Sequence, residues 1–127
     1  MICDSNIIIY AVESGDALCR PYVQRADAMI ASVTRIEVLG FPKFGGLSLE
    51  RQSHLRALLA STTELALDEE IIQQSIQLRQ QKKMKLGDAI IAATALEYGV
   101  PLVTRNEADF KHISGLEVIN PFAASGS

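Results

Sequence analysis

Short apolar runs alternate with longer stretches of helical periodicity along this chain. The runs MIC (1–3), MIAS (29–32), ELAL (64–67), PLVT (101–104) and LEVI (116–119) have strand length. Residues 7–13, 17–28, 35–40, 49–59, 68–81 and 89–98 carry the periodicity of helices. Strands that alternate with helices in this way predict an α/β domain with a largely parallel sheet. The punctuation agrees. Asp68, just past ELAL, is placed to cap the helix that follows, and Gly99 with Pro101 beyond it predicts a helix stop and a strand start. The segment AIIAATAL (89–96) is apolar on every face, so its helix is expected to be buried all round, with Asp88 at its N-terminal edge.

Composition narrows the class. At 127 residues and 48% hydrophobic, the chain fits one domain with a real core, expected over 1–122, followed by a small polar tail over 123–127 expected to be flexible. Cys3 and Cys19 make no disulfide framework, and Cys3 reads as a small core residue. No basic leader precedes the first apolar run, and no apolar run reaches about 20 residues. The expectation is a cytoplasmic protein without a membrane span. A formal net charge of −3 argues against binding nucleic acid by bulk charge, but not against an enzyme whose clustered carboxylates hold a divalent cation.

The ends of strands in an open parallel sheet lie along one edge, where ligands bind. Asp4 follows MIC directly, Glu37 lies in the first turn after MIAS, and Asp109 lies just beyond LVTRN. Asp88 reaches the same edge from the start of the buried helix. Each acid also has a structural explanation. Asp4 is placed to cap the helix beginning near Ile7, Thr34 and Glu37 fit a capping box, Asp88 suits the positive end of a helix dipole, and Asp109 suits a turn. Taken as a group these explanations weaken, because close carboxylates repel and a helix terminus offsets only about 0.3–1 kcal/mol each. An all-oxygen set points to Mg²⁺ or Mn²⁺. His54 and His112 are isolated and read as surface residues, which leaves no zinc-type spacing.

These pieces resemble the PIN domain, and within it the VapC-type toxin ribonucleases of toxin–antitoxin pairs. The resemblance rests on ICDSNIIIYA, SVTRIEVLGF, LGDAIIAATALEYG and PLVTRNEADFKHISGLEVINP, in that order and over nearly the whole chain. It implies a three-layer α/β/α sandwich with a parallel sheet ordered 3-2-1-4-5, and a Mg²⁺- or Mn²⁺-dependent endoribonuclease. It also implies a homodimer and a small antitoxin partner. Asp4, Glu37, Asp88 and Asp109 match the family acids, with Asp4, Asp88 and Asp109 as metal ligands and Glu37 ordering a water or a second metal. Ser5, Asn6, Thr104 and Asn106 match positions that orient ligands or water. The chain departs from the family pattern at Ser5, where relatives often carry Thr, and at Asn106, where many carry an acid.

Substrate grip needs positive charge near the acids. Arg79, Lys82, Lys83 and Lys85 crowd the stretch before Asp88, Arg35 precedes Glu37, and Arg105 and Lys111 flank Asp109. Arg35, Lys82, Lys83, Lys85 and Arg105 are therefore candidates for RNA phosphate contacts, though a solvated helix end explains the 79–85 run equally well. Aromatic residues are only 6% and Trp is absent, so no base-stacking platform stands out. The helical stretches 49–59 and 71–78 are either dimer face or core. Three other readings compete: a phosphatase or receiver with a phosphorylated Asp4, a PIN-fold RNA-processing nuclease that is not a toxin, and a non-catalytic PIN-fold binding module. Asn6 counts against the phosphatase, because its amide cannot serve as the general acid two residues beyond the nucleophile.

Overall fold

The structure, a computed structural model, describes residues 1–13 and 16–124. Five parallel strands form one sheet: β1 (Ile2–Cys3), β2 (Met29–Ala31), β3 (Thr63–Leu65), β4 (Leu102–Val103) and β5 (Val118–Ile119). Their order is β3-β2-β1-β4-β5, as the resemblance implies. Seven helices connect and flank them: α1 (Ser5–Val12), α2 (Asp16–Val23), α3 (Ser32–Gly40), α4 (Leu49–Ser61), α5 (Glu69–Gln81), α6 (Leu86–Tyr98) and α7 (Pro121–Ala124). Two short 3-10 turns, Phe44–Gly46 and Glu107–Asp109, complete the described elements. Among the described residues, no helix is long and apolar enough to cross a membrane.

The sheet has a core on each face because successive strand residues point to opposite sides. Cys3, Ile30 and Val103 point into one core, with Ile7, Ile8 and Ala11 of α1, Cys19 and Val23 of α2, Val38 of α3 and Leu55, Leu58 and Leu59 of α4. Ile2, Ala31 and Leu102 point into the other, with Ile71 and Leu78 of α5, residues 90–93 and Ala95 of α6, and Phe110 and Ile113. Three layers result, helices on both faces of a parallel sheet. Both cysteines are free and buried in the first core. Residues 89–95 of α6 are all buried, as a helix apolar on every face must be.

Register fixes where the strands end. Cys3 pairs with Val103 in the parallel β1–β4 ladder, and the Asp4 N–H donates to Val103 O at 3.1 Å. Asp4 and Thr104 therefore emerge side by side where the strand order reverses, the usual binding crevice of an open α/β sheet. Here β1 lies between β2 and β4, whereas a receiver-type sheet places β3 beside β1, which removes that reading.

Several boundaries differ from the expected ones. The strand expected at 64–67 occupies Thr63–Leu65, because that register pairs all three residues with β2. The strand expected through Ser32 ends at Ala31, and Ser32 opens α3, its hydroxyl donating to Glu64 Oε2 at 2.8 Å. Glu37 thus lies in the second turn of α3, and the expected Thr34–Glu37 capping box does not form, since Ala31 is the cap. The helix expected over 17–28 ends at Val23, two residues after Pro21. Asp68 caps α5 as expected, accepting the Ile71 N–H at 3.0 Å. His112 is not a surface residue in the expected sense, because both its ring nitrogens are buried and lack a protein partner. Residues 49–59 and 71–78 divide their faces: Leu55, Leu58, Leu59, Ile71 and Leu78 are core, while Leu49, Ile72 and Ile76 are exposed. Pro121–Ala124 is helical, and the rest of the tail expected over 123–127 lies outside the described residues.

Gly99 ends α6 in the left-handed region at φ 63° and ψ 37°, and Val100 N–H reaches back to Ala95 O at 3.1 Å. A Cβ there meets nothing within 4 Å, so only the backbone resists substitution. Gly99→Ala is expected to lower unfolding free energy by about 1–2 kcal/mol in urea melts.

Candidate active site

Asp4 is the centre of the carboxyl edge. It is only 6% exposed. Its Oδ1 accepts the Ile7 N–H at 2.9 Å, capping α1, and its Oδ2 accepts the Thr104 hydroxyl at 2.5 Å. Thr104 is itself oriented by the Asn106 backbone N–H, which donates to its Oγ1 at 3.1 Å. The helix cap and the Thr104 bond thus use opposite oxygens of one carboxylate. Burial pushes the Asp4 carboxyl up to about 6; the bonds from Thr104 and Ile7 offset part of that, and the charges of Asp88 and Glu37 raise it further.

Glu37 and Asp88 approach Asp4 from two helices that pack on each other, α3 and α6. Glu37 is exposed as a residue, yet its carboxylate end is partly shielded against α6. That shielding raises its carboxyl, a hydrogen bond from Ser5 lowers it, and Asp88 repels it while Lys85 attracts it. Asp88 lies in the first turn of α6, half-buried. Burial again raises its carboxyl first, the charge of Asp109 adds to the rise, and Lys85 opposes it. Asp109 ends the 3-10 turn after β4 and is exposed. The four acids therefore form a chain of mutual repulsion, Asp4 with Glu37 and Asp88, Glu37 with Asp88, and Asp88 with Asp109. Among the described residues, no group of three Asp, Glu, His or Cys side chains stands ready to hold a metal ion.

The basic residues separate into those that join the acids and those that do not. Lys82, Lys83 and Lys85 line a cavity of about 380 Å³ together with Met84, Asp88, Ala108 and Asp109. Arg79 lies elsewhere, beside Leu67, Ile72, Ile76 and Leu86 in an apolar hollow. Arg35 is held by Glu64, with Nε 2.7 Å from Oε1. The Arg105 guanidinium carbon lies over the rings of Phe122 and Tyr10, 4.3 Å and 5.5 Å from their centroids. Asn6 is exposed in the first turn of α1, and Asn106 reaches Thr104 through its backbone.

One residue of the site escapes the sequence reading. A Cβ added at Gly87 meets Glu37 Oε2 at 2.6 Å and Cδ at 3.2 Å. Glycine there lets the Glu37 carboxylate lie against the first turn of α6. No sequence signal marked it, because Gly87 precedes the 89–98 stretch expected to be helical and only the structure starts α6 at Leu86.

The comparisons follow the fold and the site. The family model of the PIN domain matches residues 1–116. Among solved structures the chain is similar to a toxin–antitoxin complex from Klebsiella pneumoniae, at 31% identity and a TM-score of 0.75, over 94% of this chain and 96% of that one. It is also similar to VapBC2 from Rickettsia felis bound to a DNA fragment from their promoter, at 21% identity and a TM-score of 0.75, over 94% and 96% of the two chains. DNA-bound VapBC from Salmonella typhimurium matches at 20% identity and a TM-score of 0.76, over 94% and 96%. The last two are likenesses of fold. Among curated proteins no match is found. With its sheet order, its acids at the carboxyl edge and this match over most of its length, the chain belongs to the PIN domain family.

Proposed function

We propose that the protein is a Mg²⁺- or Mn²⁺-dependent endoribonuclease and the toxin of a toxin–antitoxin pair. The observation that carries this reading is the coupled chain of Asp4, Glu37, Asp88 and Asp109 at the sheet edge, beside a cavity lined by three lysines. Asp88 and Glu37 raise the Asp4 carboxyl, Asp109 raises that of Asp88, and Lys85 opposes the rise at both Glu37 and Asp88. A divalent cation relieves such repulsion, and the all-oxygen donor set suits a hard ion. The donors do not form a ready-made cage, which agrees with an ion that keeps several waters and takes few carboxylates plus substrate phosphate. The toxin assignment is supported by the likeness at 31% identity to a toxin–antitoxin complex.

Asp4 and Asp88 would hold the ion, with Asp109 completing the set. The bound metal supplies polarisation of the phosphate and a more acidic water. This chain's own residues do the rest. Thr104 and the α1 N-terminus fix Asp4, so its carboxylate needs no reordering when substrate arrives. Ser5 and Gly87 hold Glu37 where it can accept a proton from a water. Lys82, Lys83 and Lys85 offer phosphate contacts that add salt-dependent affinity without reading sequence. Asn6 stays a candidate for orienting water. Arg35, tied to Glu64, contributes to the substrate only by leaving that pair. An antitoxin segment bearing an Arg would pair with the same acids. A second copy of the chain is the proposed cover for the exposed apolar strip of Leu67, Ile72, Ile76 and Leu86.

Asp88→Asn is expected to lower cleavage of RNA by at least about a hundredfold with circular dichroism unchanged, and EDTA to stop the wild type until Mn²⁺ is added. Undiminished cleavage by Asp88→Asn, or cleavage in chelator, removes the assignment.

Gly87→Ala separates site from scaffold. The new methyl displaces the Glu37 carboxylate, so cleavage is expected to fall about tenfold. Melting temperature is expected to hold or rise, because alanine favours the helix by about 1 kcal/mol.

The raised Asp4 carboxyl sets a pH dependence. Below the ordinary value of 3.8 both folded and unfolded chains carry the proton, and Asp4 adds no penalty. Between there and about 6 the folded chain keeps its proton while the unfolded one loses it, so stability falls as pH rises. Above about 6 the full penalty, about 3 kcal/mol, is present. Metal-free wild type is therefore expected to lose stability relative to Asp4→Asn between about pH 4 and pH 7 in parallel melts. Mg²⁺ or Mn²⁺ is expected to stabilise the wild type at pH 7 and not at pH 4.

A further inference from the structure

We propose that Arg105, Phe122 and Tyr10 form a stacking platform that takes one unpaired nucleotide of an RNA strand lying across the acid cluster. This rests on the nuclease reading above and adds to it the residues that stack on the strand.

The platform begins one residue beyond the site. Thr104 bonds Asp4, and the next residue, Arg105, carries an exposed side chain whose guanidinium carbon lies 4.3 Å from the Phe122 ring centroid and 5.5 Å from that of Tyr10. The two rings meet edge to face, with centroids 5.5 Å apart and planes at 74°. Neither ring is fully buried. Asn120 ties the group together: its Oδ1 accepts the Phe122 N–H at 2.9 Å, and its Nδ2 donates to Arg105 O at 3.3 Å and to Glu107 Oε2 at 3.2 Å. The end of β4 and the start of α7 are thereby held in one arrangement.

The charge of Arg105 is what points to a ligand. Arg35 and Arg25 each hold a carboxylate, Glu64 and Asp27, at 2.7 Å and 2.8 Å. The N–H groups of Arg105 meet no acceptor among the described residues. A guanidinium laid over an aromatic ring presents its N–H edge to a phosphate and its outer face to a nucleobase. Bases in a duplex are already stacked and cannot use such a face, whereas an unpaired base can, whatever its identity. Lys82, Lys83 and Lys85 line the cavity that holds Asp88 and Asp109, and Arg105 directly follows Thr104, which bonds Asp4.

A purely structural role, pinning α7 through Arg105, makes a different prediction, so the test reads binding and stability separately. Anisotropy is measured in EDTA with three labelled probes: a single-stranded RNA of about ten nucleotides, an abasic chain with the same backbone, and an RNA duplex. The variants are Arg105→Lys, which keeps the charge and loses the planar face, and Phe122→Leu, which keeps an apolar anchor. Both are expected to weaken single-stranded RNA binding by about fivefold or more, with abasic and duplex binding within about twofold of wild type and melting curves unchanged. Unchanged affinity for single-stranded RNA in both variants overturns the platform, as does an equal loss on the abasic chain. Lower melting temperature with wild-type RNA affinity assigns the cluster to pinning α7 and overturns it too. Wild type that binds none of the probes and cleaves no RNA defeats the nuclease reading as well. Wild type that binds and cleaves while the variants match it defeats the platform alone.

Discussion

The Asp4 carboxylate sits almost dry at the point where the strand order reverses, and the rest of the edge is arranged around that fact. Its two oxygens are answered by a helix N–H and a threonine hydroxyl, and even so its carboxyl is pushed up to about 6. A fold selected for stability alone has no reason to keep a carboxylate there, with Asp88 and Glu37 adding repulsion. The α6 helix makes the arrangement stiff. Its buried alanines let it lie close on the sheet, so Asp88, two residues inside its start, is set by packing and not by side-chain freedom.

Close approach matters as much as charge. Glu37 comes from α3 and Asp88 from α6, and the two helices meet where Gly87 has no side chain. Ser5, directly after Asp4, lowers the Glu37 carboxyl, so the first strand end bears on two of the four acids. The arginines show the reverse case. Arg35 precedes Glu37 by two residues in the chain, yet a helix turns neighbouring residues to different faces, and Arg35 serves Glu64 on the edge strand β3.

Much of this was legible from residues alone. The alternation of strand-length and helical segments, the burial of AIIAATAL, the stop at Gly99 and the cap at Asp68 follow from local chemistry, and all appear in the structure. The strand order came through resemblance, because nothing local to a two-residue strand says which neighbour it will choose. The Thr34–Glu37 capping box failed because Ser32 found Glu64, a partner 32 residues away that no local motif reveals. Gly87 and the ring pair of Tyr10 and Phe122 were passed over for the same kind of reason. Their meaning lies in what approaches them from distant parts of the chain, Glu37 in one case and Arg105 in the other.

The bond between Thr104 and Asp4 spans 100 residues. It closes only after β4 has entered the sheet beside β1, so Asp4 waits for a strand made much later. A chain still attached to the ribosome, with residues 102–104 not yet emerged, has β1 without its central neighbour and Asp4 without its hydroxyl donor. Such an intermediate can build local helices early, but the long-range pairing comes late. The geometry at Asp4 is therefore a property of the joined sheet, completed only when β4 lies beside β1, and not of the first strand and helix alone.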